Sequence, residues 1–463
     1  MEVKGKKKKI LVMGASITGI PVVEKLYQRG NDIILNDVKK IEDLKKYIES
    51  VKDLNINIVA GGHPISLAKE CDYIVISPGI PLDIPLIKEA KSLGKEVISE
   101  IELAYRLIDA EIAAITGTNG KTTTTTLLGE MLNNNKIKAF VAGNIGSPMI
   151  MKIDEAKPDD IFVLEVSSFQ LESTVCFKPN ISTILNITPD HLNWHKSMEN
   201  YINSKCKIFT NQTSEDFTIL NKDDPVTAKL KNKPKSKVLF FSRKELLEEG
   251  AFIEDGYLKV KLDGKLTNII HKKDIFIPGN HNIENSLAAS LMAYCLGIEP
   301  SIIKKTLMEF RGVEHRIEYV CTINGVDYYN DSKGTNPESS TKALESMKKP
   351  IILIAGGYDK GSDYEKFINA FDGKVKTLIL IGETSEKIEC EAKKQGFLKI
   401  NRVKDLEEAV YKAKEMSEPG ETVLLSPACA SWDMFKNFEE RGTAFKSIVH
   451  GIRGDKNACK KKH

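Results

Sequence analysis

The sequence predicts an α/β chain of three domains: a Rossmann-like N-terminal domain, a central parallel sheet of the P-loop ATPase type, and a Rossmann-like C-terminal domain. Three observations predict it. Short apolar runs alternate with helical patterns along the chain, which is the pattern of βαβ units and parallel sheets. A glycine-rich turn, Gly117-Thr118-Asn119-Gly120, stands between an apolar strand and a helix that begins Lys121-Thr122. A chain of 463 residues is also too long for one core, and two to four domains are expected. Two breaks set the domains at 1–99, 100–311 and 312–463. Around 99–111, "SEIELAYRLIDAE" reads as a charged connecting helix; around 309–316, "EFRGVEHRIE" joins an amphipathic helix to a fresh strand at Val320–Ile323.

The elements follow in order. Ile10–Met13 reads as a buried strand, Gly14–Gly19 as a turn, Pro21–Gln28 as a helix, and "DIILND" as a second strand ending at Asp37. The basic start followed by an apolar run imitates a signal peptide, but this βαβ continuation argues against one. No apolar stretch of about 20 residues is present to span a membrane. "GASITG" resembles a dinucleotide fingerprint, with Asp37 where a ribose-binding acid would stand; Ser16 in place of the middle glycine argues against NAD. The diphosphate of another nucleotide at the helix N-terminus stays open. Tyr73–Pro81 gives a further strand with a tight turn at its carboxyl end.

Ile112–Ile115 leads into the glycine-rich turn. The usual P-loop pattern has a glycine where Ile115 stands, so the loop is shorter, not absent. Its backbone N–H groups can cradle phosphates, Lys121 adds a point charge for the outer ones, and the Thr122 hydroxyl can ligate Mg²⁺. A plain strand–turn–helix junction is the alternative. Phe162–Val166 is a buried strand interrupted by Glu165, a carboxylate expected at the sheet's carboxyl end facing a cation, or else paired with a lysine. "ILNITPDHLNWH" repeats the design, with a strand ending in Asp190-His191. Only Tyr257–Ile270 reads as an antiparallel hairpin, turning at Asp263-Gly264.

Composition narrows the function classes. Hydrophobic residues make up 41% and charged residues 28%, as in ordinary soluble domains. A net charge of +3 gives no argument for a nucleic-acid partner. The five lysines within Lys4–Lys9 and the closing "CKKKH" read as solvated tails. The eight cysteines are scattered, without C-x-x-C or a nearby His pair, so reduced cytoplasmic thiols are expected rather than a zinc site or disulfide framework.

Several strings together resemble a known family. "TGTNGKTTT", "LEVSSFQLE", "NITPDHLNWH", "YINSKCKIF" and "PGNHNIENSLAA" are similar to the central domain of the ATP-dependent Mur ligases, and folylpolyglutamate synthetases share parts of the pattern. In the third domain, "YYNDSKGTNPESS", "IAGGYDKGSDY" and "LSPACASWDMFKNFEERG" resemble the members that add D-glutamate. Relatives that add a diamino acid or a dipeptide carry a D-Y-A-H-x-P-type segment at Asn330–Asn336. Another amino-acid-adding Mur-type or folylpolyglutamate-type ligase is the alternative within the class. A P-loop switch or motor and a dehydrogenase are the alternatives outside it.

The resemblance implies an ATP-dependent amide ligation of D-glutamate to UDP-N-acetylmuramoyl-L-alanine through an acyl phosphate, in peptidoglycan precursor synthesis. It implies a cytoplasmic monomer with small-molecule substrates and neither nucleic-acid nor membrane partners. ATP would meet Gly117, Thr118, Asn119, Gly120, Lys121, Thr122, Thr123, Asn282 and Asn285, and the third domain would close on it with Arg316, Asp331 and Lys333. The UDP-substrate would meet Ile17, Thr18, Asp37, Ser77, Asn144 and His191; D-glutamate would meet Thr335, Lys360, Ser431 and Phe438. Two Mg²⁺ ions would be held by Thr122, Glu165, His191 and a carbamylated Lys205, with Lys121, His191 and Lys205 as the catalytic set. Asn193 and Trp194 depart from the family pattern, where an acid and often an arginine stand.

Overall fold

Five parallel strands form the first sheet: β1 (Lys9–Met13), β2 (Asp32–Asp37), β3 (Asn57–Ala60), β4 (Tyr73–Ile76) and β5 (Val97–Ser99), in the order β3-β2-β1-β4-β5. In β1 and β4 every residue after Lys9 is buried, the run expected of strands covered on both faces. The strand order reverses between β1 and β4, where an open α/β sheet presents its ligand crevice. Gly14 sits there at φ 100°, and a Cβ would come 2.6 Å from Ser77 Oγ. Glycine is therefore required for the turn that carries Ile17 and Thr18. The computed structural model describes residues 7–347 and 350–453. Lys4, Lys6 and the closing "CKKKH", read above as part of solvated tails, lie outside the described residues.

The second sheet has nine strands: β6 (Glu111–Thr116), β7 (Ala139–Gly143), β8 (Ile161–Glu165), β9 (Ile181–Ile184), β10 (Phe217–Asn221), β11 (Lys237–Ser242), β12 (Gly250–Glu254), β13 (Tyr257–Leu262) and β14 (Lys265–His271). Their order is β14-β13-β12-β11-β10-β9-β6-β8-β7. Pairing is parallel from β7 to β12 and antiparallel at β12/β13 and β13/β14. The expected hairpin at Asp263-Gly264 is present, but it is not the only antiparallel pair. β12 and β13 turn at Asp255-Gly256, where both residues have positive φ.

The third sheet contains β15 (Glu318–Ile323), β16 (Val326–Asn330), β17 (Ile351–Ala355), β18 (Val375–Leu380), β19 (Ile400–Arg402) and β20 (Thr422–Leu425), in the order β15-β16-β20-β17-β18-β19. A further antiparallel hairpin, β15/β16, turns at Asn324-Gly325, again with positive φ at both positions. The other pairs are parallel.

The chain divides into two units, Met1–Ile275 with His281–Met308 and Phe276–Asn280 with Glu309–His463. The first two sheets lie in unit one and the third in unit two. Among the described residues no helix is long and apolar enough to cross a membrane.

Within unit one, the first sheet is tied to the second by the helix Glu100–Tyr105. This segment was expected as a longer charged helix, yet two of its charges are inside. Glu102 is fully buried and accepts from the backbone N–H groups of Val175, Cys176 and Phe177 at 2.8–2.9 Å, while Arg106 Nε donates to it at 2.7 Å. Glu100 accepts from Ile150 N at 2.6 Å, and burial pushes its carboxyl up to about 7. A buried carboxylate is stable when N–H donors replace its water. Glu102→Ala strands three backbone donors and leaves Arg106 with Glu96 alone, so unit one should lose about 3 kcal/mol, read as a lower urea midpoint. Glu102→Gln, which keeps an acceptor, should lose less.

Candidate functional site

The glycine-rich loop joins β6 to the helix Lys121–Asn134. Gly117 (φ 153°) and Gly120 (φ 84°) make the turn. The loop is clamped from β9's extension: Thr118 N donates to Asn186 O at 2.9 Å, Asn119 N to Asn186 Oδ1 at 2.9 Å, and Asn186 Nδ2 returns to Asn119 O at 3.1 Å. The helix Asn280–Cys295 closes the other side. Its Asn285 Oδ1 accepts from Thr124 Oγ1 at 3.3 Å, and Asn285 Nδ2 donates to Asn282 Oδ1 at 3.1 Å. A Cβ on Gly120 would stand 2.3 Å from Asn285 Oδ1. Loop and asparagines thus form one packed assembly, with Thr123 half-buried on the helix's first turn.

Two lysines converge on the loop. Lys121 Nζ donates to the carbonyls of Gly117 and Thr118, each at 3.0 Å. Lys205, on the helix Met198–Cys206, donates from Nζ to the same Gly117 carbonyl at 2.8 Å and lies over the Tyr201 ring at 4.7 Å. It is 2% exposed, not a surface lysine. Burial, and then the nearby Lys121 charge, hold its ammonium well below the ordinary lysine range. The Tyr201 hydroxyl lies 3.2 Å from Thr118 Oγ1 and connects this helix to the loop.

Glu165 ends β8, which pairs with β6 so that Glu165 lies beside Ile115. Its partner is not a lysine: Oε1 accepts from Asn144 Nδ2 at 2.9 Å, while Oε2 is buried without a partner. A Cβ on Gly143 would approach Glu165 O to 2.4 Å, so the "GNIG" turn has to pass this close. A buried, half-satisfied carboxylate beside a phosphate-type loop fits a hard cation, with buried Thr122 as an oxygen donor on the same loop. Among the described residues no group of three or more His, Cys, Asp or Glu gathers as a metal cage. That donor set suits Mg²⁺, which keeps waters and substrate phosphates as ligands.

His191 does not end a strand. β9 stops at Ile184, and His191 lies in the following loop at φ 52°. Polar residues Asn186, Thr188 and Asp190 cannot continue the apolar run, and they bond to the glycine-rich loop or cap the turn instead. The His191 ring packs on Phe169 at 4.9 Å, and Nε2 is 3.4 Å from Asp190 Oδ2. Phe169 also meets Trp194 edge-on at 5.0 Å, and Trp194 Nε1 donates to Glu172 at 2.9 Å. Trp194, Phe169, Glu172, Ser77 and Gly79 line one small pocket at the carboxyl end of β4. The nearby Asp37 is occupied by backbone, accepting from Ala15 N at 2.7 Å and Lys39 N at 2.9 Å, whereas Ile17 is 70% exposed. Thr18 precedes the helix Gly19–Gln28 without capping it through its side chain.

Unit two assembles a second cluster. Asp331 accepts from Ser426 Oγ at 2.6 Å and Ile317 N at 3.2 Å, and burial pushes its carboxyl up to about 7 against the opposing Arg316 charge. Lys333 Nζ is 5.8 Å from the Phe438 ring, Thr335 N bonds Lys333 O, and Lys360 Nζ is 4.6 Å from the Trp432 ring. What joins these segments is Arg441, a residue that the sequence reading missed. It is fully buried and donates to Ser332 Oγ and O, Cys429 O and Ala430 O at 2.8–3.2 Å. One guanidinium therefore fixes the 331–335 loop against the segment containing buried Ser431. The available signal was spacing: Arg441, Phe445 and Val449 share the buried face of the helix Phe438–Arg453.

Comparison with known proteins covers most of this frame. Residues 8–99 match the Mur ligase MurD-like N-terminal domain, 115–293 the Mur ligase middle domain, and 315–429 the Mur ligase glutamate ligase domain. The chain is 52% identical over 453 residues, 97% of its length and 99% of the relative's, to UDP-N-acetylmuramoylalanine–D-glutamate ligase of Alkaliphilus oremlandii. Among solved structures, it is similar to the UDP-N-acetylmuramate–alanine ligase MurC of Thermotoga maritima (TM-score 0.58, 20% identity, 96% of this chain and 100% of that one). It is also similar to the MurF ligase of Thermotoga maritima in complex with ADP (TM-score 0.54, 17% identity, 83% and 97%).

The Gly120 geometry gives a direct test. Gly120→Ala forces a side chain into Asn285 at a left-handed backbone position. Nucleotide affinity measured calorimetrically should fall by about tenfold or more, while far-UV circular dichroism stays unchanged.

Proposed function

The chain belongs to the Mur ligase family, and from that membership we propose that it is an ADP-forming ligase joining D-glutamate to UDP-N-acetylmuramoyl-L-alanine in peptidoglycan precursor synthesis. The observation that carries the reading is the convergence of Lys121 and Lys205 on the Gly117 carbonyl, one strand from the half-satisfied Glu165. Such a site needs both anions and a cation. ATP with Mg²⁺ supplies both.

The acceptor's alanyl carboxylate attacks the γ-phosphorus and ADP leaves. The amine of D-glutamate then attacks the acyl carbon, loses a proton, and inorganic phosphate departs. Each step brings anions together, so the protein's task is neutralisation and alignment. Loop residues Gly117–Thr123 hold the phosphates by backbone N–H groups, and Lys121 turns from its carbonyls to the outer phosphates. Asn282 and Asn285 would meet the adenine, and the family resemblance assigns Arg316, Asp331 and Lys333 to the nucleotide as well. Ile17, Thr18, Asp37 and Ser77 take the uridine diphosphate end, with Asn144 and His191 nearer the acceptor carboxylate. Thr335, Lys360, Ser431 and Phe438 take D-glutamate. Thr122 and Glu165 would hold one Mg²⁺ and His191 and Lys205 a second, where the ions would offset the charge of phosphate and carboxylate oxygens.

Lys205 deepens the reading. A buried amine whose proton is held weakly is a nucleophile toward CO₂: the nitrogen bonds to carbon, a proton leaves, and a carbamate replaces the cation. Its oxygens suit Mg²⁺. Lys205→Ala should lower turnover by about a hundredfold or more with the far-UV circular dichroism of the folded chain retained, and high acetate or formate should restore part of the activity. Full activity in Lys205→Ala would overturn this role. The ligase reading itself is tested by phosphate release in the presence of UDP-N-acetylmuramoyl-L-alanine and a panel of amino acids. D-glutamate should stimulate release, whereas equal stimulation by L-glutamate or meso-diaminopimelate would overturn it.

A further inference from the structure

None of the roles above uses Trp432, although it stands beside the D-glutamate set. Its side chain is 61% exposed, an uncommon place for so large an apolar surface. The segment carrying it is firmly held. The buried Ser431 offers its carbonyl to Met434 N at 3.1 Å and Phe435 N at 2.8 Å, and Ala430 O accepts from Tyr358 N at 2.9 Å and from Arg441. The Tyr358 ring lies 5.5 Å from the indole, tilted by 53°.

Lys360 is different. It lies on a turn between Gly357 (φ 149°) and Gly361 (φ 76°), at the end of a flexible four-carbon stem. Its Nζ is 4.6 Å from the indole centroid. The neighbouring acid, Asp359, already accepts from Gly361 N at 2.8 Å and from Lys387 Nζ at 3.2–3.3 Å. Among the described residues no carboxylate lies within ion-pair distance of Lys360. An acid there would fix the ammonium but would also cancel its charge and occupy its donors. An aromatic face attracts the cation through its quadrupole and leaves the N–H groups available.

We propose that Trp432 is a positioning residue for the amino-acid substrate: its indole holds the Lys360 ammonium where it meets the side-chain carboxylate of D-glutamate. The inference rests on the assignment of Lys360 to D-glutamate made above. Holding the flexible side chain in advance reduces the ordering cost when substrate arrives, so the effect belongs in substrate affinity and not in nucleotide binding.

The test is steady-state phosphate release at saturating ATP and UDP-N-acetylmuramoyl-L-alanine, with D-glutamate varied, for Trp432→Leu, Trp432→Phe, Lys360→Ala and the Lys360→Ala/Trp432→Leu pair. Trp432→Leu should raise the KM for D-glutamate about two- to fivefold with kcat and the KM for ATP preserved. Trp432→Phe should recover most of that, and Trp432→Leu should add nothing once Lys360 is alanine. An unchanged KM in Trp432→Leu overturns the proposal, as does an equal rise in the Lys360→Ala background or an equal loss in Trp432→Phe. If Lys360→Ala leaves the D-glutamate KM unaltered, the assignment of Lys360 falls and takes this proposal with it; a strong Lys360→Ala effect beside a silent Trp432→Leu removes the proposal alone. Thermal unfolding of each variant separates these outcomes from loss of fold.

Discussion

Two lysine side-chain nitrogens share one carbonyl oxygen, that of Gly117, and much of unit one is arranged so that they can. Like charges this close repel strongly away from bulk water. Lys121 reaches the oxygen from the first turn of its own helix, but Lys205 arrives from 88 residues away along the chain. That approach requires the helix Met198–Cys206 to lie against the glycine-rich loop, which the Thr118–Tyr201 contact maintains. It also places a weakly protonated amine within a region of basic character, opposed by the carboxylates of Asp190 and then Glu165.

A related device, a buried charge solvated by backbone, holds separate segments together at two other places. Glu102 gathers the N–H groups of residues 175–177 and Arg441 gathers the carbonyls of residues 332, 429 and 430. Neither relies on an exposed ion pair, which contributes little in water. A charge with several fixed dipoles around it is directional: displacing any one segment leaves an uncompensated group in a low-dielectric interior. Apolar packing alone would tolerate a small slide at these junctions. These charges do not.

Much of this architecture was legible in the residues, and the exceptions share a cause. Parallel strands covered on both faces announce themselves as continuous apolar runs, so β1, β2, β4, β6 and β8 were readable with their boundaries nearly right. The glycine-rich loop and its Lys-Thr were equally plain. The β12/β13 and β15/β16 hairpins were not read, although Asp255-Gly256 and Asn324-Gly325 are the dipeptides that such turns favour. There the signal existed and lay within segments read only for alternating strands and helices. For Glu165 and Lys205 the sequence named the residue but not its partner. Asn144 and Gly117 are distant along the chain, and periodicity carries no information on such contacts. Glu102 was read only as part of a charged connecting helix and Arg441 was not singled out, because burial of a charge depends on the dipoles that surround it, which belong to other segments.

The antiparallel end of the nine-stranded sheet has a different consequence. A long parallel sheet that stopped at β12 would offer an open row of backbone donors and acceptors to any other chain. Instead β13 and β14 continue it, so the outer edge is β14, which begins at Lys265 and meets β13 with a register irregularity at Leu258/Lys259. Bulges twist an edge away from flat pairing, and charges on it repel a second copy. The hairpin thus acts as a guard against self-association of partly folded chains. It lies at the β14 rim of the sheet, several strands away from β6 and the glycine-rich loop that follows it.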